Sequence, residues 1–177
     1  IEKLRAEIKH NIEDGLEKTY AETLPTKKKK KELAEMYMPC TIADTSNNDG
    51  AKTEKRFIDA ISDGLRLAMR KHSNLVLMGQ DIADYGGVFK ITDGFVEEFG
   101  KGRVRNTPLC ESAILGAGFG LSINKHKAMV EMQFADFVSE GMTQIINNLA
   151  KSHYRWGQNA DVVVRMPTGA GVAAGPF

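Results

Sequence analysis

The feature that most constrains this chain is a rhythm of short, mainly apolar runs set between segments of helical length. LVLMGQDI (Leu75–Ile82), KAMVEMQF (Lys127–Phe134) and DVVVRMP (Asp161–Pro167) are the clearest, and Val104–Pro108 is a fourth. The first is continuously apolar before it ends in polar residues, as in a strand buried on both faces. Strands that alternate with helices pair in parallel and are covered on both sides. The expected fold is therefore α/β, a parallel sheet with helices on both faces. Ligands of such sheets sit at the carboxyl ends of the strands.

The intervening helices are read from period and caps. Thr53 can cap a helix whose face is Phe57, Ile58, Ile61, Leu65 and Ala68. A short helix is expected near Asp93–Phe99 after the YGG loop, and another over about Ser112–Asn124. A longer one buries Val138, Met142, Ile145, Ile146 and Leu149, with Gly157 ending it. Ahead of this region, Ile1, Leu4, Ile8, Ile12, Leu16 and Tyr20 recur at helical steps among charges, the mark of an amphipathic helix. Between them, Pro25, Pro39 and SNNDG (Ser46–Gly50) break any long element, leaving a linker with one short helix near Glu32–Met38.

Composition excludes several classes. The 177 residues, 42% apolar and 27% charged, are those of an ordinary globular domain with an appendage. A net charge of +1 argues against bulk electrostatic binding of nucleic acid. The one basic block, Lys27–Lys31, reads as a solvated linker segment. No run approaches the roughly 18 apolar residues of a membrane span. Cys40 and Cys110 have no CxxC partner, and the thiols fit a reducing compartment. The localisation expected is cytoplasmic, of bacterial type, ahead of the mitochondrial matrix. Both ends read as cut, as in a fragment of a longer polypeptide.

The stretch RNTPLCESAILGAGFG (Arg105–Gly120) carries the candidate chemistry. Its glycines invite a dinucleotide-binding reading, with Glu131 as the ribose partner. Spacing opposes it: a helix opening at the glycines would have barely two turns before the next strand. The glycines fit better inside a helix that begins near Ser112, where they permit close approach. Glu111 has two readings that composition leaves open. One is an acidic residue in a first helical turn, favoured by the dipole and partly exposed. The other is a carboxylic acid kept neutral in an apolar pocket, walled by Leu109, Ala113, Ile114 and Leu115, so that it donates a hydrogen bond.

The blocks from MGQDIADYGGVFKITDGFVEEFGKGRVRNTPLCESAILGAGFGLSI through MVEMQFADFVSEGMTQIINNLAKSHYRWG to VVVRMPTGAG resemble the β subunit of thiamine-dependent 2-oxo acid dehydrogenases. These are the decarboxylating components of the pyruvate and branched-chain complexes. The resemblance runs from about Thr53 to the end. It implies a pyrimidine-binding domain over 53–177, incomplete at its C-terminus. Residues 1–38 look like the helical tail of an α subunit, and 39–52 would join the two.

Carried over on matching positions, the family's catalytic glutamate falls on Glu111, which hydrogen-bonds N1′ of the aminopyrimidine and exchanges a proton with it. Leu109 falls beside the pyrimidine, and Gln133 and Phe137 on positions lining the same pocket; many relatives have tyrosine where Phe137 stands. The implied cofactors are thiamine diphosphate and Mg²⁺. The diphosphate and metal are held in this family by a GDG…N segment of the α part, absent here, so no metal ligand is assigned. The implied partners are an α-type region, in a dimer or heterotetramer, and a lipoyl-bearing acyltransferase component. His10, His72, His126 and His153 read as structural or solvated, and Asp81 has no assigned role. Two alternatives stand beside this: a thiamine enzyme of the transketolase group that transfers ketol units, and a non-catalytic pairing module.

Overall fold

The computed structural model describes residues 1–41, 50 and 52–169. The chain divides into two compact units, Ile1–Ala34 and Glu35–Phe177. The first holds α1 (Glu2–Ala21) and most of α2 (Lys29–Glu35), which starts earlier than the expected Glu32. The anticipated stripe on α1 is present, but Ile1, Leu4, Ile8, Ile12, Leu16 and Tyr20 are all exposed. The turn formers Ser46–Asp49 lie outside the described residues, as does the end of the glycine-rich segment that follows the last strand.

The second unit is the anticipated α/β domain. In order come α3 (Phe57–Lys71), β1 (Leu75–Gly79), α4 (Phe95–Phe99), β2 (Val104–Asn106), α5 (Glu111–Ile123), β3 (Lys127–Glu131), α6 (Val138–Gln144), α7 (Ser152–Trp156) and β4 (Val162–Arg165). The strands form one parallel sheet in the order β2-β1-β3-β4. All five residues of β1 are buried, so its unbroken apolar run does have both faces covered.

Alternate residues of the strands serve two cores. Leu75, Leu77, Val104 and Met129 face Met69, Phe95, Leu65 and Ala68 of α3 and α4. Val76, Met78 and Val130 face Ile114, Leu115, Val138, Ile145 and Leu149 on the other side. Burying a side chain of this size contributes about 1.5–3 kcal/mol, so each face is an anchoring layer. Arg103 closes the first layer from below. Its guanidinium donates to the carbonyls of Met69 at 2.8 Å, His72 at 2.6 Å and Leu75 at 3.0 Å, satisfying acceptors at the end of α3 and the start of β1.

Three details differ from the sequence expectation. Thr53 does not cap α3; the helix opens after Arg56, without a side-chain cap, because Thr53–Arg56 run outside the helix. Phe57 at its first position is 81% exposed, so the buried face starts later. The long helix after β3 is broken into α6, a π turn over Ile145–Leu149, and α7. Met142 in α6 and Ile146 in the π turn stand exposed while Val138, Ile145 and Leu149 pack inward, and the wider winding of the π turn carries Ile146 off the apolar face. Gly157, in the left-handed conformation, ends α7 as expected of that glycine.

The glycine cluster sits within α5, as spacing required. A Cβ on Gly118 would lie 2.7 Å from Val130 Cγ1, so this glycine lets the helix lie close on β3. Gly116 touches only the Gln144 side chain at ordinary distance, and Gly120 has open space. Only one of the three is demanded by packing.

Candidate active site

The sheet order sets a topological switch point at its carboxyl edge. The chain leaves β1 towards β2 on one side and leaves β3 towards β4 on the other, so the strand ends of β1 and β3 diverge. That divergence is where open parallel sheets bind ligands. Gln80 follows β1, Thr107 follows β2, and Gln133 and Phe137 follow β3 at this same edge. Thr107 extends the β1–β2 pairing by donating its N–H to the Gly79 carbonyl at 2.9 Å.

Glu111 is the first residue of α5, reached through the loop that ends β2. The residue is 8% exposed, which removes the partly exposed alternative; its place in the first turn stands. The aligned dipoles of α5 favour negative charge there. Gly141 brings α6 across this turn: a Cβ on it would overlap Leu115 Cδ1 and lie 3.5 Å from the Glu111 carbonyl oxygen. The walls differ from those expected. Ile114 and Leu115 are buried in the core, but Ala113 is exposed and Leu109 is 79% exposed. What covers the carboxyl group includes Gln80, itself 5% exposed, whose Nε2 donates to Glu111 Oε1 at 3.0 Å. The other oxygen, Oε2, has no hydrogen-bond partner among the described residues.

Gln133 and Phe137 are half-buried. Phe137 ends a single 3-10 turn, Ala135–Phe137, and its ring packs edge-on against Phe134 at 5.8 Å between centroids. Leu109 and Glu111 thus follow β2, and Gln133 and Phe137 follow β3, at one edge of the sheet.

Two groups escaped the sequence reading. Gln80 was visible only as a polar residue after an apolar run. Asp81 beside it is a turn residue with φ of 56°, and its carbonyl accepts from the Gly87 N–H at 2.8 Å. The second is a buried ion pair at the ends of β3 and β4. Glu131, 3% exposed in its side chain, faces Arg165 across the strand register and accepts from its Nε at 3.0 Å and from its terminal nitrogen. Burial pushes the Glu131 carboxyl above the usual carboxylate range, and Arg165 draws it back only in part. Glu131 is therefore a strand-end ion-pair partner, not a ribose ligand.

An apolar cavity of about 380 Å³ opens between Phe57, Ile58, Ile61, Phe89, Phe134 and Met166, apart from Glu111. Among the described residues no group of three or more His, Cys, Asp or Glu side chains could hold a metal ion. No described helix is long and apolar enough to cross a membrane.

The family model described as "Transketolase, pyrimidine binding domain" matches residues 54–176. The chain belongs to this family. Its curated relatives include the 2-oxoisovalerate dehydrogenase subunit beta of Bacillus subtilis (strain 168), 43% identical over 118 residues, 66% of this chain and 36% of that protein. The pyruvate dehydrogenase E1 component subunit beta of the same organism is 40% identical over 117 residues, 65% of this chain and 36% of that protein. The mitochondrial 2-oxoisovalerate dehydrogenase subunit beta of Dictyostelium discoideum is 40% identical over 126 residues, 70% of this chain and 34% of that protein. The chain spans about a third of the length of these relatives. The resemblance to 2-oxo acid dehydrogenase β subunits is borne out by these matches.

Proposed function

We propose that this chain is the aminopyrimidine-binding part of a thiamine diphosphate-dependent 2-oxo acid dehydrogenase. The whole enzyme decarboxylates pyruvate or a branched-chain 2-oxo acid and passes the acyl group to a lipoyl group on a partner acyltransferase component. The observation that carries this reading is Glu111: a buried carboxyl group at a helix N-terminus, at the ligand-binding edge of a pyrimidine-binding domain, with one oxygen tied and the other open.

The residues present fit the pyrimidine end of the cofactor. Gln80 Oε1 and Thr107 Oγ1 are buried without a partner at the ends of β1 and β2. Orphaned buried acceptors and hydroxyls of this kind cost about 1–3 kcal/mol each unless something meets them. Leu109, Gln133 and Phe137 would hold the ring, and Glu111 would hold a proton at Oε2 and share it with the ring nitrogen. The cofactor, when bound, supplies the electron sink for decarboxylation. Leu109, exposed on this domain alone, would be covered by an α-type region in a dimer or heterotetramer. That region would also hold the diphosphate and Mg²⁺. A bacterial-type cytoplasmic setting suits the two free thiols.

The test uses the complete enzyme. With thiamine diphosphate and Mg²⁺ it is expected to reductively acylate a lipoyl domain from pyruvate or a branched-chain 2-oxo acid, and to transfer no ketol units between sugar phosphates. Ketol transfer without lipoyl acylation would assign it to the transketolase activity instead. Absence of both, with no calorimetric binding of thiamine diphosphate, would leave a pairing module.

A further inference from the structure

We infer that Gln80 is the positioning residue for Glu111, fixing which of its two carboxyl oxygens carries the proton and faces the cofactor ring. This rests on the reading of Glu111 given above and names the residue through which that reading is built into the fold.

Gln80 stands at the end of β1 and is almost wholly buried; Glu111 opens α5 after the neighbouring strand. The two are 31 residues apart in sequence, and only the β1–β2 pairing brings them within 3.0 Å. The amide nitrogen is a donor and has no lone pair to offer. An oxygen that receives its N–H cannot also send a proton along that line. A proton on Glu111 therefore belongs to Oε2, the oxygen with no partner among the described residues.

The lock also tolerates both states of the acid. Oε1 accepts from Nε2 equally when it is half of a carboxylate and when it is the carbonyl oxygen of the neutral acid. The primary amide does not titrate, so it neither competes for the proton nor withdraws when Glu111 takes one. When Glu111 is ionised the nitrogen must face it, because the opposite orientation would set an amide oxygen against a carboxylate.

The far end of the amide supports a placement for Glu111. Gln80 Oε1 is buried and has no hydrogen-bond partner. Buried amides are ordinarily satisfied at both ends. Here the amide is satisfied at one end, and that end is the carboxyl group.

The experiment compares the complete enzyme with Gln80→Met, which keeps the approximate volume and removes the donor, and with Glu111→Gln. In the cofactor-free enzyme, the infrared bands of Glu111 are those that Glu111→Gln abolishes. They are expected to shift in Gln80→Met. In the loaded enzyme, hydrogen–deuterium exchange at C2 of thiamine diphosphate, measured at saturating cofactor, is expected to slow about tenfold or more, as for a displaced catalytic group. Unshifted bands with exchange at the wild-type rate would overturn the inference. If Glu111→Gln slows exchange and Gln80→Met does not, Gln80 alone is misassigned; if neither slows it, the reading of Glu111 fails as well. Should Gln80→Met not fold, Gln80→Asn withdraws the amide by one methylene and is expected to shift the same bands. Unshifted bands there would equally overturn the assignment.

Discussion

Buried carboxyl groups at two strand ends of this domain are handled in opposite ways. Glu111 is met by a neutral amide, whereas Glu131 is met by the guanidinium of Arg165. For Glu131, burial outweighs that attraction and raises the folded-state pKa above the unfolded one. Its contribution to stability is then full below the unfolded value, about 4.3 for a glutamate, and is lost as the pH rises through the folded value. Urea unfolding of wild type and Glu131→Gln across the carboxylate range should therefore show the difference moving in favour of the variant as the pH rises. A difference moving in favour of the wild type would mean that Arg165 more than compensates for burial. At Glu111 the demand is reach. Glu111→Asp shortens the side chain and withdraws the acid from Gln80 and from the ring it is proposed to meet. In the complete enzyme it should slow C2 exchange by about 10². Wild-type exchange in that variant would contradict the reach argument.

Among the elements, α5 carries the site and Gly118 decides how it lies. A methyl group there meets the β-branched Val130, backed by Val162 Cγ1 at 3.5 Å and Ala128 Cβ at 3.7 Å. Gly118→Ala gains about 1 kcal/mol of helix propensity, but overpacking costs about 1–3 kcal/mol, so net destabilisation is expected. Gly120→Ala meets open space and should stabilise by up to about 1 kcal/mol. Opposite shifts of the denaturant midpoints would bear this out, and shifts of the same sign would contradict it. The strands and α5 were legible in the sequence because apolar continuity and spacing are local signals. The exposure of Phe57, Met142 and Ile146 was not, since periodicity marks a face without marking which end of it the sheet covers, and a π turn leaves no trace in the pattern. At the site, Glu111 could be found by its place after a strand-ending proline and by the resemblance. Gln80 and the Glu131–Arg165 pair could not, because each depends on strand pairing between residues distant in sequence.

At the scale of the whole molecule, the two units call for separate expectations. Every lysine of Lys27–Lys31 is exposed, whereas Glu35–Phe177 contains both cores. Limited trypsin digestion should cut within Lys27–Lys31 first and leave the α/β domain as the resistant product. Equal resistance of that segment and the domain would count against the linker assignment. The site itself is proposed to be complete only when an α-type region covers Leu109 and holds the diphosphate, so its chemistry must be read in the full enzyme. The most direct measurement is C2 exchange of bound thiamine diphosphate in Glu111→Gln. Glutamine keeps the shape and can still hydrogen-bond the ring, but it cannot exchange a proton with it. Cofactor affinity should change little while exchange slows by about 10² or more. Exchange at the wild-type rate, with the cofactor equally bound, would show that the buried carboxyl group of Glu111 is structural and would contradict the account at its centre.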